Sequence, residues 1–422
     1  MRLSRLVGLA RKVVEAQKNN ESAPQGPSIL RLDDLLELRA PAEDLGDVES
    51  SLLEYYPKIL LPVTSPKPEN SQSRIIIGVD SSSRLVELQS ATLVVSSVSV
   101  SSNKRGLSWD WPPVFNGLGP SLDEPVVRIL PNDDSQVEVD DPLVTLVNPA
   151  GYQYDPDYNQ YQAMDEARVS AENKALEALA EILESKPWSD RAVILVDGPV
   201  YLVPGVLGSG QGRLEYVEAW RRLLRERVRI IERLASTGAR IYGVVKRVEK
   251  ARILGRAKLP GGYQRCLGDT RGRSDLSLLS RALSARCYQS SQRGKPLASP
   301  PALVRSRGGP SKVAQYVILP QPWHLPKPGA SVYYRVEEPY EQWSSSNGRL
   351  DGYRSPVAGV LVDSIARGSL EPVTIRWSDR RARETTRYLR SLLLRMALRE
   401  GVPVTYGELV EEAVEAWQRA VA

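Results

Sequence analysis

The chain has 422 residues, a mass of 46.8 kDa, a net charge of +5 and a pI near 9.0, room for one large domain with insertions or two ordinary ones. Two cysteines, Cys266 and Cys287, exclude a disulfide scaffold and a cysteine zinc cluster, and one histidine, His324, excludes a two-histidine metal site. With a single histidine, hydrolytic chemistry in this chain has to lean on carboxylates; no apolar run reaches the roughly 18 residues of a membrane helix, and no membrane partner is expected. Arginine outnumbers lysine 43 to 13, which with the scarcity of His, Met and Cys suggests a hot or GC-rich source.

The N-terminus, MRLSRLVGLARKVVEAQKNN, carries Glu15 inside a basic amphipathic pattern, so it reads as a helix rather than a signal peptide. A linker follows at 19–28, then a second short helix at 30–40. RIIIGVDSSSR (74–84) is an apolar run that ends in Asp80 and a serine turn. ATLVVSSVSV (91–100), VVRIL (126–130) and LVTLV (143–147) are further strand candidates. A long helix spans about 159–185. AVILVDG (192–198) is a second buried-type strand that ends in an aspartate, Asp197. LEYVEAWRRLLRERVRIIERLASTG (214–238) is an amphipathic helix closed by Gly238, and RIYGVVKR (240–247) a third buried strand. The stretch 255–312 is rich in Arg, Gly, Ser and Pro, with a short helix near 275–285. Strands at 313–319 and 331–337 and helices near 357–367, 379–400 and 406–420 complete the chain. Thr405 and Glu408 are spaced as a capping box. Strands alternate with helices, which predicts an α/β fold, and two adjacent strands before any long helix make its sheet mixed.

Asp80 and Asp197 each close an apolar strand. A covered strand buries both faces, so its end is where a polar group first emerges. Taken singly, each aspartate reads as the cap of an Asp-Ser or Asp-Gly turn. Taken together on neighbouring strands, two such carboxylates repel unless a cation lies between them. On the long helix, Glu172 shares the stripe of Leu176, Leu179 and Leu183, whereas Glu166, Glu177 and Glu181 fall off it. A glutamate aimed at the core needs a partner: Arg168 one turn earlier, or a metal shared with Asp80 and Asp197. A carboxylate set of this kind suits Mn²⁺ or Mg²⁺, which activate water in phosphodiester cleavage. Asp363 sits among aliphatic residues in VAGVLVDSIAR (357–367), either as a further ligand or as a surface charge. Glu337 and Glu338 read as edge-strand charges. Lys246, at the end of the third strand, either meets a phosphate or snorkels to water.

These segments, in order, resemble the NurA nuclease family: GVDSSSR, RVSAE (168–172), AVILVDGPV, IYGVVKRVEKARIL, and less tightly SDLSLLSRAL (274–283) and GYRSPVAGVLVDSIA (352–366). The resemblance implies an RNase H-like mixed sheet flanked by helices, with N-terminal helices and a helical C-terminal extension. It implies a Mn²⁺-dependent (or Mg²⁺-dependent) deoxyribonuclease of the cytoplasm, exonucleolytic and also endonucleolytic, acting on DNA ends in recombinational repair. The implied partners are DNA, a second copy of the chain, and a HerA-type hexameric ATPase. Asp80, Glu172 and Asp197 are then the metal ligands. The family carries a tyrosine followed by a histidine on a late helix; Tyr353 matches the tyrosine, no histidine follows, and Asp363 stands near its place as a fourth catalytic residue. The absent histidine also admits a catalytically weakened DNA-binding or helicase-partner subunit of the same fold. The expected division is an N-terminal helical segment at 1–60, the nuclease domain at 61–375, and C-terminal helices at 376–422.

KRVEKARILGRAK (246–258) holds six basic residues against one acid, and 281–307 has no acid at all. Lys246, Arg247, Lys250, Arg281, Arg286 and Arg293 are the residues expected to meet DNA, the second stretch as a flexible loop that tracks the phosphate backbone.

Overall fold

The computed structural model describes residues 3–18, 48–63, 74–114, 119–133, 138–204, 213–288, 296–307, 309–320, 331–345, 349–350, 353–354 and 371–410. The helix expected at 30–40, His324, Arg293 and Asp363 with its helix lie outside them.

A thirteen-stranded sheet organises the described residues. Its strands are β1 (Val48–Leu52), β2 (Leu61–Pro62), β3 (Ile75–Glu87), β4 (Ala91–Ser102), β5 (Trp109–Trp111), β6 (Val127–Pro131), β7 (Val144–Thr145), β8 (Ala192–Asp197), β9 (Arg240–Val245), β10 (Leu297–Ala298), β11 (Ala302–Ser306), β12 (Lys312–Pro320) and β13 (Ser331–Pro339). The helices are α1 (Leu3–Lys18), α2 (Gln160–Glu184), α3 (Leu214–Ser236), α4 (Ile253–Arg256), α5 (Gly261–Leu267), α6 (Asp275–Ser284), α7 (Tyr340–Ser345) and α8 (Val373–Glu400).

At the centre the order is β6-β4-β3-β8-β9. β4 is antiparallel to both of its neighbours, β6 and β3, and β8 and β9 run parallel to β3. Three antiparallel strands followed by two parallel ones, entered through crossover helices, is the RNase H-like arrangement. Antiparallel β13, β12, β11 and β1 continue the sheet beyond β9. The strands at 74–84, 91–100, 192–198 and 240–247 and the helices at 159–185 and 214–238 fall where their apolar patterns place them.

Several expectations need correction. Asp80 does not end its strand: β3 runs on to Glu87 because it keeps pairing with β4 after β8 has stopped. The expected helical segment 1–60 contains β1, an edge strand paired with β11. The stretch 281–307 is not one flexible loop, since Leu297–Ala298 and Ala302–Ser306 are strands of the sheet and Cys287 forms a disulfide with Cys266. Glu337 and Glu338 are not edge charges, since β13 lies between β12 and β9 and both side chains are buried. Glu337 accepts from Lys312, Arg335 and the Val200 N–H. Glu408 reaches beyond its own helix end: it accepts from the Glu87 N–H and pairs with Arg390.

Helix α8 crosses β3 and β4 on the face opposite α2, since Ser82 meets Thr386 of α8 and the adjacent Ser81 meets Glu172 of α2, and small strand residues let α8 come close. A Cβ on Gly78 would stand 2.4 Å from the Thr374 carbonyl carbon, so only glycine admits the helix start there. Ser97 donates to the Ala382 carbonyl at 2.8 Å, Ser82 and Thr386 share a hydrogen bond of 3.0 Å, and Arg381 pairs with buried Asp110 at 2.6 Å. The serine runs of β3 and β4 are thus a seat for this helix.

Candidate metal centre

The parallel register that ends on Val79 opposite Val196 carries Asp80 and Asp197 out side by side. The third group comes from α8. Carboxylate oxygens of Asp80, Asp197 and Asp379 lie within 4.8 Å of one another. Asp379 belongs to the first turns of α8, set by the Gly78–Thr374 contact and by Arg383, whose Nε stands 2.7 Å from its Oδ1.

Burial, then the charges of Asp197 and Glu172, hold the Asp80 carboxyl well above the usual carboxylate range, and a hydrogen bond with Asp379 adds to this. Burial also raises Asp197, against the opposing attraction of Lys246. Three convergent oxygens that repel one another fit a hard divalent cation, Mn²⁺ or Mg²⁺, which neutralises that repulsion and accepts oxygen ligands. Asp80, Asp197 and Asp379 are the residues that would hold it.

Glu172 lines the same cleft, yet both its oxygens are engaged. Ser81 donates to Oε1 at 2.6 Å, and Arg227 donates to Oε2 at 2.9 Å while its Nε reaches Asn173. Its partner is therefore Arg227 on α3, not Arg168, which stands 3.8 Å from Asp165. Glu166, placed off the inward stripe by periodicity, is fully buried. Helix α2 is covered on two sides, by the sheet and by α3, so more than one stripe of it is buried. Glu166 accepts from Tyr158 at 2.8 Å, and burial pushes its carboxyl up to about 8.

The carboxylates open into a cleft of about 730 Å³. Lys246 donates to Asp197 at 2.9 Å and lies 3.6 Å from Glu371, and Arg247, Lys250 and Arg383 share the cleft wall. Arg281 and Arg286 do not line it; they lie exposed on and just after α6. Tyr353 lies in a short hairpin, Arg349–Leu350 with Tyr353–Arg354, and its side chain is outside the description, as are Asp363 and Arg293. Asp379 carried a poor signal in sequence. It sits in SDRRARE, a charged run that reads as a solvated face, and only the buried small residues Ser378, Ala382 and Thr385 on its helix mark a side packed on the sheet.

The model of the NurA domain matches residues 74–384, most of the chain. The chain belongs to the NurA nuclease family. The match ends inside α8, just past Asp379. Solved structures similar to this chain include the NurA nuclease from Sulfolobus solfataricus, at 11% identity and a TM-score of 0.40 over 81% of this chain and 87% of that one. A NurA structure with manganese is similar at 9% identity and a TM-score of 0.38, over 90% and 95% of the two chains. A third, NurA bound to dAMP and manganese, is similar at 10% identity and 0.33, over 70% and 84%. No curated protein matches. Family membership rests on the domain match, and among the described residues no helix is long and apolar enough to cross a membrane.

Proposed function

We propose that the protein is a metal-dependent deoxyribonuclease that degrades DNA from its ends. The observation that carries this reading is the meeting of Asp80, Asp197 and Asp379 within 4.8 Å beside a cationic cleft wall. A divalent cation held there supplies an activated water and neutralises charge on the scissile phosphate. The chain's own residues do the rest. Lys246 and Arg383, each beside a carboxylate of the cluster, stand where a phosphate oxygen can accept from them. Arg247 and Lys250, just beyond β9, continue the positive wall. Glu172 fixes Ser81, the neighbour of Asp80, and keeps Arg227 turned inward. Glu172 is then a positioning residue in this chain, and Asp379 takes the third ligand place.

The wider reading is a homodimer that works with a HerA-type hexameric ATPase in the resection of DNA ends for recombinational repair. Residues 61–375 form most of the nuclease unit, and the first turns of α8 complete it. Asp379 favours this over the weakened, non-catalytic reading, because a late-helix carboxylate meets the other two despite the missing histidine. The test is cleavage of end-labelled linear DNA against a Mn²⁺ titration. The reading requires metal-dependent release of nucleotides from an end, lost in Asp80→Ala and Asp197→Ala. A circular substrate separates endonuclease from exonuclease action, and co-purification with the ATPase tests the partnership.

A further inference from the structure

A second cavity, of about 900 Å³, opens between residues 55–59, just after β1, and residues 258–266, which include α5. Its charged lining is wholly cationic: Lys58, Lys258 and Arg265. All three are exposed, and none forms an ion pair among the described residues. Tyr55, 59% exposed, presents its ring at the same opening.

The walls are built rather than loose. The Tyr56 N–H donates to the Tyr263 hydroxyl at 2.7 Å, and that hydroxyl donates back to the Tyr56 carbonyl at 2.6 Å. Gln315 on β12 donates to the Tyr56 hydroxyl at 2.9 Å, which ties this wall to the sheet. The disulfide between Cys266 and Cys287 ties α5 to the segment after α6. A fixed frame thus holds three cations with no ion pair among the described residues, and one exposed aromatic ring, around one opening.

We infer that this cavity is a second binding site for single-stranded nucleic acid, sharing no lining residue with the metal cleft. Cations that track a phosphate backbone, with an aromatic face for a base to stack on, are what sequence-independent strand binding requires. Continuity supports the same choice. One basic segment serves both cavities, with Lys246, Arg247 and Lys250 in the metal cleft and Lys258 here. An acidic peptide would use the cations and leave Tyr55 unexplained. The site lies outside the cleft that holds the carboxylates, so it governs grip on substrates long enough to reach both cavities. The inference rests on the reading that DNA is the substrate.

The test is anisotropy of a labelled single-stranded oligonucleotide in EDTA, where no cleavage occurs, across a salt series. Each phosphate contact on a single strand contributes about 0.7 to the slope of log affinity against log salt. The triple variant Lys58→Ala, Lys258→Ala, Arg265→Ala should flatten that slope by about 2. Tyr55→Ala should weaken binding about tenfold at fixed salt, with Tyr55→Phe restoring it. Metal-dependent cleavage of a dinucleotide should stay unchanged in all of these variants. An unchanged slope and affinity overturn the inference, and so does a deoxynucleoside monophosphate that competes as tightly as the oligonucleotide. If cleavage is absent in the unaltered protein while the binding effects appear, the nuclease reading fails and this site stands.

Discussion

Gly78 lies directly under the backbone of Thr374, and this contact decides where Asp379 comes to rest. Asp80 is two residues along β3 from the glycine, and Asp379 is five residues along α8 from the threonine. A Cβ at position 78 would stand 2.5 Å from the Thr374 carbonyl oxygen and 2.7 Å from the Ile375 nitrogen. Backbone atoms cannot rotate away, so the helix start must lift. Gly78→Ala should therefore cost about 1–3 kcal/mol of stability and weaken Mn²⁺ binding by moving one ligand. Urea denaturation and calorimetric titration of Mn²⁺ check the two parts separately. A variant with unaltered metal affinity would show that Asp379 is not positioned by this contact.

Arg227 and Glu172 form a buried pair 2.9 Å apart. Removing one partner strands the other charge, at a cost of about 3–5 kcal/mol. Arg227→Met leaves the Glu172 carboxylate unpaired beside Asp80 and Asp197, so it should destabilise the protein strongly. Adding Glu172→Gln should recover most of that loss, because the stranded charge is gone. The comparison of single and double variants by denaturation is the check. Equal losses in both would mean that the arginine matters for packing alone.

Glu166 gives the clearest pH dependence. Its carboxyl is raised from 4.5 to about 8, chiefly by burial, so the folded protein holds a proton that the unfolded chain releases. The stability this proton confers is complete below pH 4.5 and is lost as pH rises towards 8. The loss amounts to about 1.4 kcal/mol per pH unit while the two states differ by a full proton. Glu166→Gln keeps an acceptor for Tyr158 and cannot ionise. Its denaturation midpoint should vary less with pH than that of the unaltered protein between pH 5 and 8. Parallel curves for the two proteins would refute a buried neutral Glu166.

The central strands were legible because apolar runs of β-branched residues have few other solutions in an α/β chain, and Asp80 and Asp197 stood out as the first acids after two of them. What sequence hid was long-range. Arg227 is 55 residues from Glu172, so no local spacing could name it in place of Arg168. Asp379 lies in an arginine-rich run, and its inward direction depends on a glycine three hundred residues earlier. β11 carries Arg305 in a region rich in Arg, Ser and Pro, and its pairing with β1 is a tertiary choice that propensity does not register. Glu166 misled for a related reason, since a helix covered on two sides buries more than one stripe.

The measurement closest to the central claim is Mn²⁺ binding and Mn²⁺-dependent DNA cleavage by Asp379→Asn beside the unaltered protein. Asparagine keeps the shape of the side chain and an oxygen for Arg383 while removing the charge, and none of the DNA-binding cations is itself replaced. The account predicts a fold that is intact, DNA binding that is retained, Mn²⁺ affinity that falls at least tenfold, and cleavage reduced by at least two orders of magnitude, each factor of ten reflecting about 1.4 kcal/mol. Cleavage and metal affinity equal to those of the unaltered protein would contradict it, and would remove Asp379 from the metal centre.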